Sequence, residues 1–303
     1  MHSFDPQSME CLAAIVEEGG FERAARRLSI TQSAVSQRLR ALESQVGAVL
    51  IVRSRPLRPT AAGLLVLKHA MQMRLLRADL EHDLSDLAPG DGAAQGEDRI
   101  SIAVNADSIA TWALPALTDL VVGGLPLEII TDDQDFTHVW LREGQVLGCI
   151  TALAQPLRGC KVVPLGAMPY VAVSSPRFAQ EQCPQGLTAH NFRQFPFIAF
   201  NRKDGLQTQF VQRAFRLKRV TLKQRFVPSA EGQVRAVLAG WGASVIPQLQ
   251  VRTLLEQGAL VDLAAGKVLP VALYWHCWNL DSALLDALTG ALTQAAAAAL
   301  ERA

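Results

Sequence analysis

Three observations predict an α/β protein overall: a mainly α N-terminal winged helix-turn-helix over 1–60, a long linker helix and hinge over 61–98, and a two-lobed α/β domain over 99–303. The first is a set of short helical segments punctuated by Gly19-Gly20 and Ser29-Ile30 and surrounded by arginine. The second is a long apolar stripe after Thr60. The third is an alternation of strand and helix patterns from Arg99 onward, the signature of a parallel sheet with crossover helices.

Composition bounds what such a chain can be. Its 303 residues, half of them hydrophobic, suffice for more than one core. The start Met1-His2-Ser3-Phe4-Asp5-Pro6 lacks the basic residues and apolar run of a signal peptide, and no stretch approaches the roughly 18 apolar residues of a membrane span, so the expected location is the cytoplasm, with no membrane partner. Cys11, Cys149, Cys160, Cys183 and Cys277 are scattered without metal spacing and read as free, mostly buried thiols, so no metal and no cofactor are expected. Net charge is only +1, but it is unevenly placed: from Arg23 to Thr60 there are eight arginines against one acid, Glu43. A one-sided basic surface on a compact domain is the footprint of phosphate binding.

In the first domain, Met9, Leu12, Ala13 and Val16 recur at helical spacing after Asp5-Pro6, where Asp caps and Pro suits the first turn. A short second helix over 21–28 puts Phe21, Ala24, Ala25 and Leu28 on one face, the small alanines allowing close approach of its neighbour. Thr31 is the expected N-cap of a third helix reaching about Val46, with Val35, Leu39, Leu42 and Val46 as its buried stripe. Its other face presents Thr31, Gln32, Ser33, Ser36, Gln37 and Arg40, side chains able to bond base edges or phosphates from a helix in the major groove. Beyond Gly47, strands at 49–53 and 57–60 around Ser54-Arg55-Pro56 form a wing, whose Arg53, Arg55 and Arg58 suit backbone contacts more than sequence reading.

The arrangement Phe21…Ala24-Ala25…Leu28…Thr31-Gln32…Ala34-Val35-Ser36…Leu42-Glu43…Gly47…Leu50…Arg53…Pro59-Thr60…Gly63 resembles the LysR-type transcriptional regulators. The match spans the whole first domain. Ile51 stands where many members carry phenylalanine, a core position that leaves DNA contacts intact.

After Thr60 a helix runs to about Leu87, with Leu64, Leu67, Met71, Leu75 and Ala78 at three-and-four spacing. That stripe needs a partner, either its own domain or a second subunit; the resemblance implies the linker helix through which family members dimerise, a dimer setting two half-sites on DNA. The segment 88–98 has a hinge composition. In the last domain, strands are expected at 100–105, 125–130, 146–152, 170–174, 195–201, 222–228, 243–246 and 271–278. Helices are expected at 108–122, 136–143, 205–215, 229–239, 247–257 and 282–302. The last strand and helix are expected to return to the first lobe, giving lobes of about 99–168 with 269–303 and about 169–268, as in the periplasmic-type solute-binding fold that this region resembles.

Ligands of open parallel sheets sit beyond the carboxyl ends of strands, beside helix N-termini. That rule selects Asn105 to Ser108, Thr131 to Asp135, Thr151-Ala152, Asn201 to Asp204 and Ser229 to Glu231. The run Ala103-Val104-Asn105-Ala106-Asp107-Ser108…Ala110-Thr111-Trp112…Leu114-Pro115-Ala116-Leu117, with Ser229-Ala230-Glu231 and Leu273-Tyr274-Trp275-His276, is similar to the ArgP/LysG group, also called IciA. That resemblance implies a small effector, lysine or arginine, and control of amino-acid export or metabolism. A basic amino acid needs an anion site and counter-charges: Ser108, Thr151 or Ser229 for its carboxylate, and two or three of Asp107, Asp132, Asp133, Asp135 and Glu231 for its cations. The plain reading is that Asp107, Ser108 and Ser229 are helix caps and the Asp132 to Asp135 cluster a solvated loop.

No GxSxG, Walker loop or HExxH occurs, and no histidine lies near a nucleophile pair, His276 reading as a strand residue; the chain is expected not to be an enzyme. The partners implied are a double-stranded DNA operator, a second copy of the chain in a homodimer or homotetramer, and RNA polymerase. An architectural, origin-binding role of the IciA kind is the alternative, and a solute-binding protein or amino-acid enzyme with an incidental basic domain is a third.

Overall fold

The computed structural model describes residues 4–87 and 100–302, of which 82–87 are described by backbone alone. The hinge expected at 88–98 lies outside the described residues.

Helix α1 (Pro6–Glu17) starts where Asp5 Oδ2 accepts from Ser8 N at 3.0 Å and from Ser8 Oγ at 2.6 Å, with Pro6 in the one position that needs no donor. Helix α2 (Phe21–Arg27) follows, and α3 (Gln32–Val46) begins with Thr31 Oγ1 accepting from Ala34 N at 3.2 Å and ends at Gly47, whose φ of +73° suits glycine. Val35, Leu39 and Leu42 are buried in one core with Leu12, Ile15 and Ala24.

The wing is shorter than its sequence pattern. Only β1 (Ile51–Val52) and β2 (Arg58–Pro59) pair, Ile51 opposite Pro59 and Val52 opposite Arg58. Next to that pair Thr60 N still donates across the wing to Leu50 O at 2.9 Å, whereas Leu50 N donates to Glu43 Oε1 at 2.9 Å and Thr60 Oγ1 to Val49 O at 2.7 Å. These contacts tie the wing to α3 and to the linker.

The linker helix α4 (Ala61–Leu87) is capped by Thr60, whose Oγ1 accepts from Gly63 N at 3.0 Å. Of the two partners open to the predicted stripe, the chain's own first domain takes its middle. Leu67, Met71 and Leu75 are buried against the chain's own first domain, beside α1, while Leu64 and Ala78 are half-buried. Arg74 lies on this inner side and binds Glu10 and Glu17 of α1, an ionic clasp held largely out of water. A different line of side chains, Leu65, Met73, Leu76 and Leu80, faces outward.

From residue 100 onward, β3 (Ile100–Asn105), β4 (Leu127–Asp132) and β5 (Gly148–Thr151) are parallel neighbours. Between β3 and β4 the expected single helix is three pieces: α5 (Ala106–Ser108), a π turn (Ile109–Ala113) and α6 (Leu114–Val122). Pro115 carries no N–H to return to Thr111, and a π turn absorbs that loss. Helix α7 (Thr137–Arg142) then leads to β5, and β6 (Cys160–Ser174) crosses to the second half.

The second half holds α8 (Pro176–Gln182), β7 (Pro196–Ala199), α9 (Leu206–Phe215), β8 (Lys223–Phe226), α10 (Ala230–Leu238), β9 (Ala243–Pro247), α11 (Gln248–Glu256) and β10 (Val261–Asp262). Strand β11 (Leu269–Trp278) and helix α12 (Ala283–Ala299) return to the first half, β11 pairing with β5 and α12 packing on α6. The sheet order is β4-β3-β5-β11-β6-β9-β7-β8, with β10 on β6. Two long antiparallel strands, β6 and β11, thus form the spine from which both lobes extend. Strand β6 begins ten residues before the sequence pattern suggested, because Pro164, Gly166 and Pro169 mimic strand breakers; a register shift opposite them, between Leu273 and Tyr274, accommodates the irregularity.

Gly63 is where the linker touches the wing: a Cβ there would lie 2.1 Å from Leu50 O, a backbone atom with no room to yield. The substitution Gly63→Ala is therefore expected to cost about 2 kcal/mol or more through this clash, despite alanine's better helix propensity. Urea unfolding of wild type and variant measures it, and a change under about 0.5 kcal/mol would refute the close approach.

Candidate nucleic-acid interface and interlobe cleft

On α3, Thr31, Gln32, Ser33, Gln37 and Arg40 are exposed and Ser36 is half-buried, all on the side away from Val35, Leu39 and Leu42. The N-cap bond fixes the first turn, so these side chains project from a rigid helix end. On the wing, Arg53, Arg55 and Arg58 are exposed, and the Arg53 guanidinium lies 5.3 Å from the Phe21 ring centroid. That stacking joins the wing to α2.

The basic cluster is narrower than its sequence count. Arg26 pairs with Glu22 at 3.3 Å, Arg27 with Glu17 and, at 3.6 Å, with Glu18, while Arg23 donates to Glu18 O. The acids paired with Arg26 and Arg27 precede Arg23 in the chain, outside the stretch from Arg23 to Thr60. Arg38 is half-buried, reaching toward Cys11 Sγ at 3.9 Å. Arg40, Arg53, Arg55 and Arg58 remain exposed without a carboxylate partner among the described residues.

The second constellation lies between the lobes. A cleft with about 390 Å³ of empty space, its open mouth included, is walled by Ala106, Asp107, Asp133 and Gln134 from one lobe. The other lobe supplies Phe200, Asp204, Gln207, Ala230, Gln233 and Gln250, among others. These residues follow the carboxyl ends of β3, β4 and β7 and the starts of α10 and α11, where the parallel-sheet rule puts a ligand.

Its electrostatics are one-sided. Asp107 Oδ2 accepts from Tyr170 OH at 2.7 Å; burial above all, with the charge of Asp204, overrides that bond and pushes its pKa up to about 6. Asp133 Oδ1 accepts from Asp135 N at 2.9 Å, yet burial, reinforced by Asp204, Asp135 and Asp107, carries it up to about 7. Asp135 is raised by burial and by Asp204, against the opposing pull of His138. Among the described residues no lysine, arginine or histidine forms an ion pair with Asp107, Asp133 or Asp204.

The other residues singled out in the sequence sit differently. Asp132 is engaged in the lobe itself, its Oδ2 accepting from Trp140 Nε1 at 3.1 Å and its Oδ1 from Asp133 N at 2.8 Å. Thr151 is buried and donates to Gln134 O at 2.8 Å. Ser229 caps α10, its Oγ accepting from Gly232 N at 3.0 Å, and Glu231 is exposed in the first turn. Ser108 is fully buried behind the wall with its Oγ unpartnered, as is the side chain of neighbouring Asn105. Conversely, the cleft draws in Asp204, Gln207, Gln233 and Gln250, of which only Asp204 falls in a stretch that the strand-end rule had marked.

Comparison with known proteins follows the same division. Residues 6–64 match the bacterial regulatory helix-turn-helix protein model of the lysR family, and residues 93–297 match the LysR substrate binding domain. The transcriptional regulator LysG of Mycobacterium tuberculosis is 41% identical over 296 residues, covering 96% of this chain and 95% of that protein. The regulator ArgP of Pseudomonas aeruginosa is 40% identical over 291 residues, covering 94% of each. Among solved structures, ArgP from Mycobacterium tuberculosis superposes with a TM-score of 0.83 at 40% identity over all of both chains. Full-length LysG from Corynebacterium glutamicum with bound effector Arg superposes with a TM-score of 0.73 at 33% identity, covering 98% of this chain and 99% of that one. A DNA-binding helix-turn-helix joined to a two-lobed substrate-binding domain, shared over nearly full length with transcriptional regulators, shows that the chain belongs to the LysR family of bacterial regulators.

Proposed function

We propose that this regulator answers to a basic amino acid, arginine or lysine, and controls a gene of amino-acid export or metabolism. The observation that carries the reading is the cleft in which Asp107, Asp133 and Asp204 converge with no cationic side chain among the described residues that line it. Carboxylates held from water with hydrogen bonds but no counter-cation are costly to ionise, and a ligand bearing two positive charges offsets that cost on binding. The effector bound by the Corynebacterium glutamicum relative, arginine, has that chemistry. The ligand's carboxylate is left to amide donors of the cleft, from Gln134, Gln233 and the start of α10 at Ala230.

In this reading the chain divides as 1–60, 61–98 and 99–303. Thr31, Gln32, Ser33, Ser36, Gln37 and Arg40 read an operator, and Arg53, Arg55 and Arg58 hold its phosphates. The outward stripe Leu65, Met73, Leu76 and Leu80 pairs with a second copy, from which a tetramer builds. The protein works in the cytoplasm, where its DNA and RNA polymerase are; no described helix is long and apolar enough to cross a membrane. Calorimetry with arginine and lysine, alongside footprinting of the neighbouring promoter with and without them, tests the function directly. Sequence-specific binding that ignores every basic amino acid would sink the effector assignment.

Three further outcomes are expected. Gln32→Ala or Ser33→Ala relaxes sequence preference at one or two base pairs by about 1–3 kcal/mol, whereas Arg55→Ala weakens all DNA alike and lowers the salt slope by about one, as read by fluorescence anisotropy across operator variants; the reverse pattern would exchange reader and wing. Leu76→Glu combined with Leu80→Glu reduces the mass seen by light scattering to that of a smaller assembly, while unchanged mass would remove this stripe from the interface.

The third concerns pH. Because Asp107 and Asp133 have folded pKa values of about 6 and about 7, the folded ligand-free protein holds protons that the unfolded chain has already released above pH 4. Ligand-free stability therefore falls as pH rises from about 4 to 7, and affinity for arginine rises over about pH 5.5 to 7.5, with proton release on binding. Asp133→Asn flattens the first trend and raises the melting temperature at pH 7.5 by a few degrees. A ligand-free protein that becomes more stable across this window would show that these carboxyls are not the controlling groups.

A further inference from the structure

Asp204 stands on the opposite lobe from Asp107 and Asp133, so the two walls of the cleft present like charges to each other. It cannot turn away. Its Oδ1 accepts from Leu206 N, the first residue of α9, at 2.8 Å and its Oδ2 from Phe200 N, just after β7, at 2.8 Å, and it is only 8% exposed. Lys203, its neighbour in sequence, does not neutralise it, because the ammonium lies 5.0 Å from the centroid of the Phe136 ring on the facing lobe. The charge of Asp204 is felt across the gap, where it adds to the proton affinity of Asp107, Asp133 and Asp135.

A second feature points to an occupant. Gln134, beside Asp133 in the cleft wall, is 7% exposed, and its side-chain amide has no partner among the described residues. Gln207 shows what a satisfied amide looks like here, its Oε1 accepting from Val245 N at 2.7 Å. A buried amide left open in a wall is completed by whatever the wall encloses.

Building on the basic-amino-acid reading above, we propose that Asp204 is the specificity-determining residue of the cleft, making approach of the lobes conditional on a ligand whose side chain places a positive charge between Asp204 and the wall of Asp107 and Asp133. Those two residues share one lobe, so alone they would hold a cation without drawing in the other lobe. A neutral side chain of the same shape leaves the facing charges unscreened, and one α-ammonium cannot compensate three carboxylates. Discrimination therefore acts on charge more than on length. Arginine is favoured over citrulline, its uncharged near-isostere, and lysine over norleucine, while lysine and arginine differ little.

Calorimetry of the full chain with arginine and citrulline at pH 7.5, on wild type, Asp204→Asn and Asp204→Glu, tests this. Wild type is expected to prefer arginine by about 100-fold or more, Asp204→Asn to cut that preference at least about tenfold without weakening citrulline, and Asp204→Glu to retain most of it. In Asp204→Asn the rise of arginine affinity with pH also moves to lower pH, since Asp133 no longer faces that charge. An unchanged arginine-to-citrulline ratio in Asp204→Asn overturns the inference and leaves the basic-amino-acid reading standing; equal weakening of both ligands overturns it in favour of a loop-supporting role. Failure of wild type to bind either basic amino acid removes the reading and the inference together. Should Asp204→Asn not fold, Asp204→Ser, which keeps a short acceptor for Leu206 N, takes its place in the same comparison.

Discussion

The antiparallel pairing of β6 with β11 is the constraint on which the sensing half of the molecule depends. Residues from Leu269 to Trp278 find partners from Tyr170 back to Cys160, a ladder interrupted once, and each end of it serves a different lobe. At one end β11 receives β5; at the other β6 receives β9. Each lobe then grows outward as parallel strands linked by helices, with β3 beside β4 on one side and β7 beside β8 on the other. Parallel strands point their carboxyl ends the same way, and the spine sets those two sets of ends against each other. The cleft is the consequence of that opposition.

Packing along the spine is dense enough to make it stiff. Trp275 and Trp278 are fully buried, the Trp275 indole donates to Thr289 of α12 at 3.0 Å, and a Cβ at Gly148 would meet the Trp275 ring at 2.3 Å. Such a core resists gradual deformation and favours discrete arrangements of the bodies attached to it. In the proposed reading the carboxylates in the cleft supply the opposing influence, their mutual repulsion disfavouring closure until a counter-charge arrives. A ligand shifts such an equilibrium only by its unequal affinity for the two arrangements, and charge across the gap is where that inequality is largest.

Much of this was legible in the sequence, and the exceptions have physical causes. Alternating periodicity and capping residues located the helices of the first domain to within a residue or two, because Asp5, Thr31 and Gly47 act locally. The spine was misjudged because prolines in β6 imitate a break, and only the partner strand shows how the register absorbs them. The linker stripe was ambiguous by nature: a helix carrying two apolar lines, one of them through Leu67, Met71 and Leu75, has no internal mark of which line meets its own core. Asp107 and Asp133 were visible as strand-end acids. Asp204 lay in a strand-end stretch but beside Arg202 and Lys203, which offset its charge along the chain; in space Arg202 reaches toward Phe226 and Lys203 toward Phe136. The glutamines of the second lobe carry no sequence signature, since their role depends on which face of a helix meets the gap.

The 27 residues of α4 form one uninterrupted rod, clasped at its start to the wing and by Arg74 to α1, and touching the sensing half where Lys68 Nζ donates to Arg158 O at 3.2 Å. At about 1.5 Å per residue such a rod is roughly 40 Å long. Tilting it by about 10° displaces its far end by roughly 7 Å, about two base-pair steps along a duplex at 3.4 Å each. In the proposed dimer, a leverage of this size turns a tilt of about 10° into a change of about two base pairs in where a distant α3 meets the groove, a shift of register within one turn of the double helix.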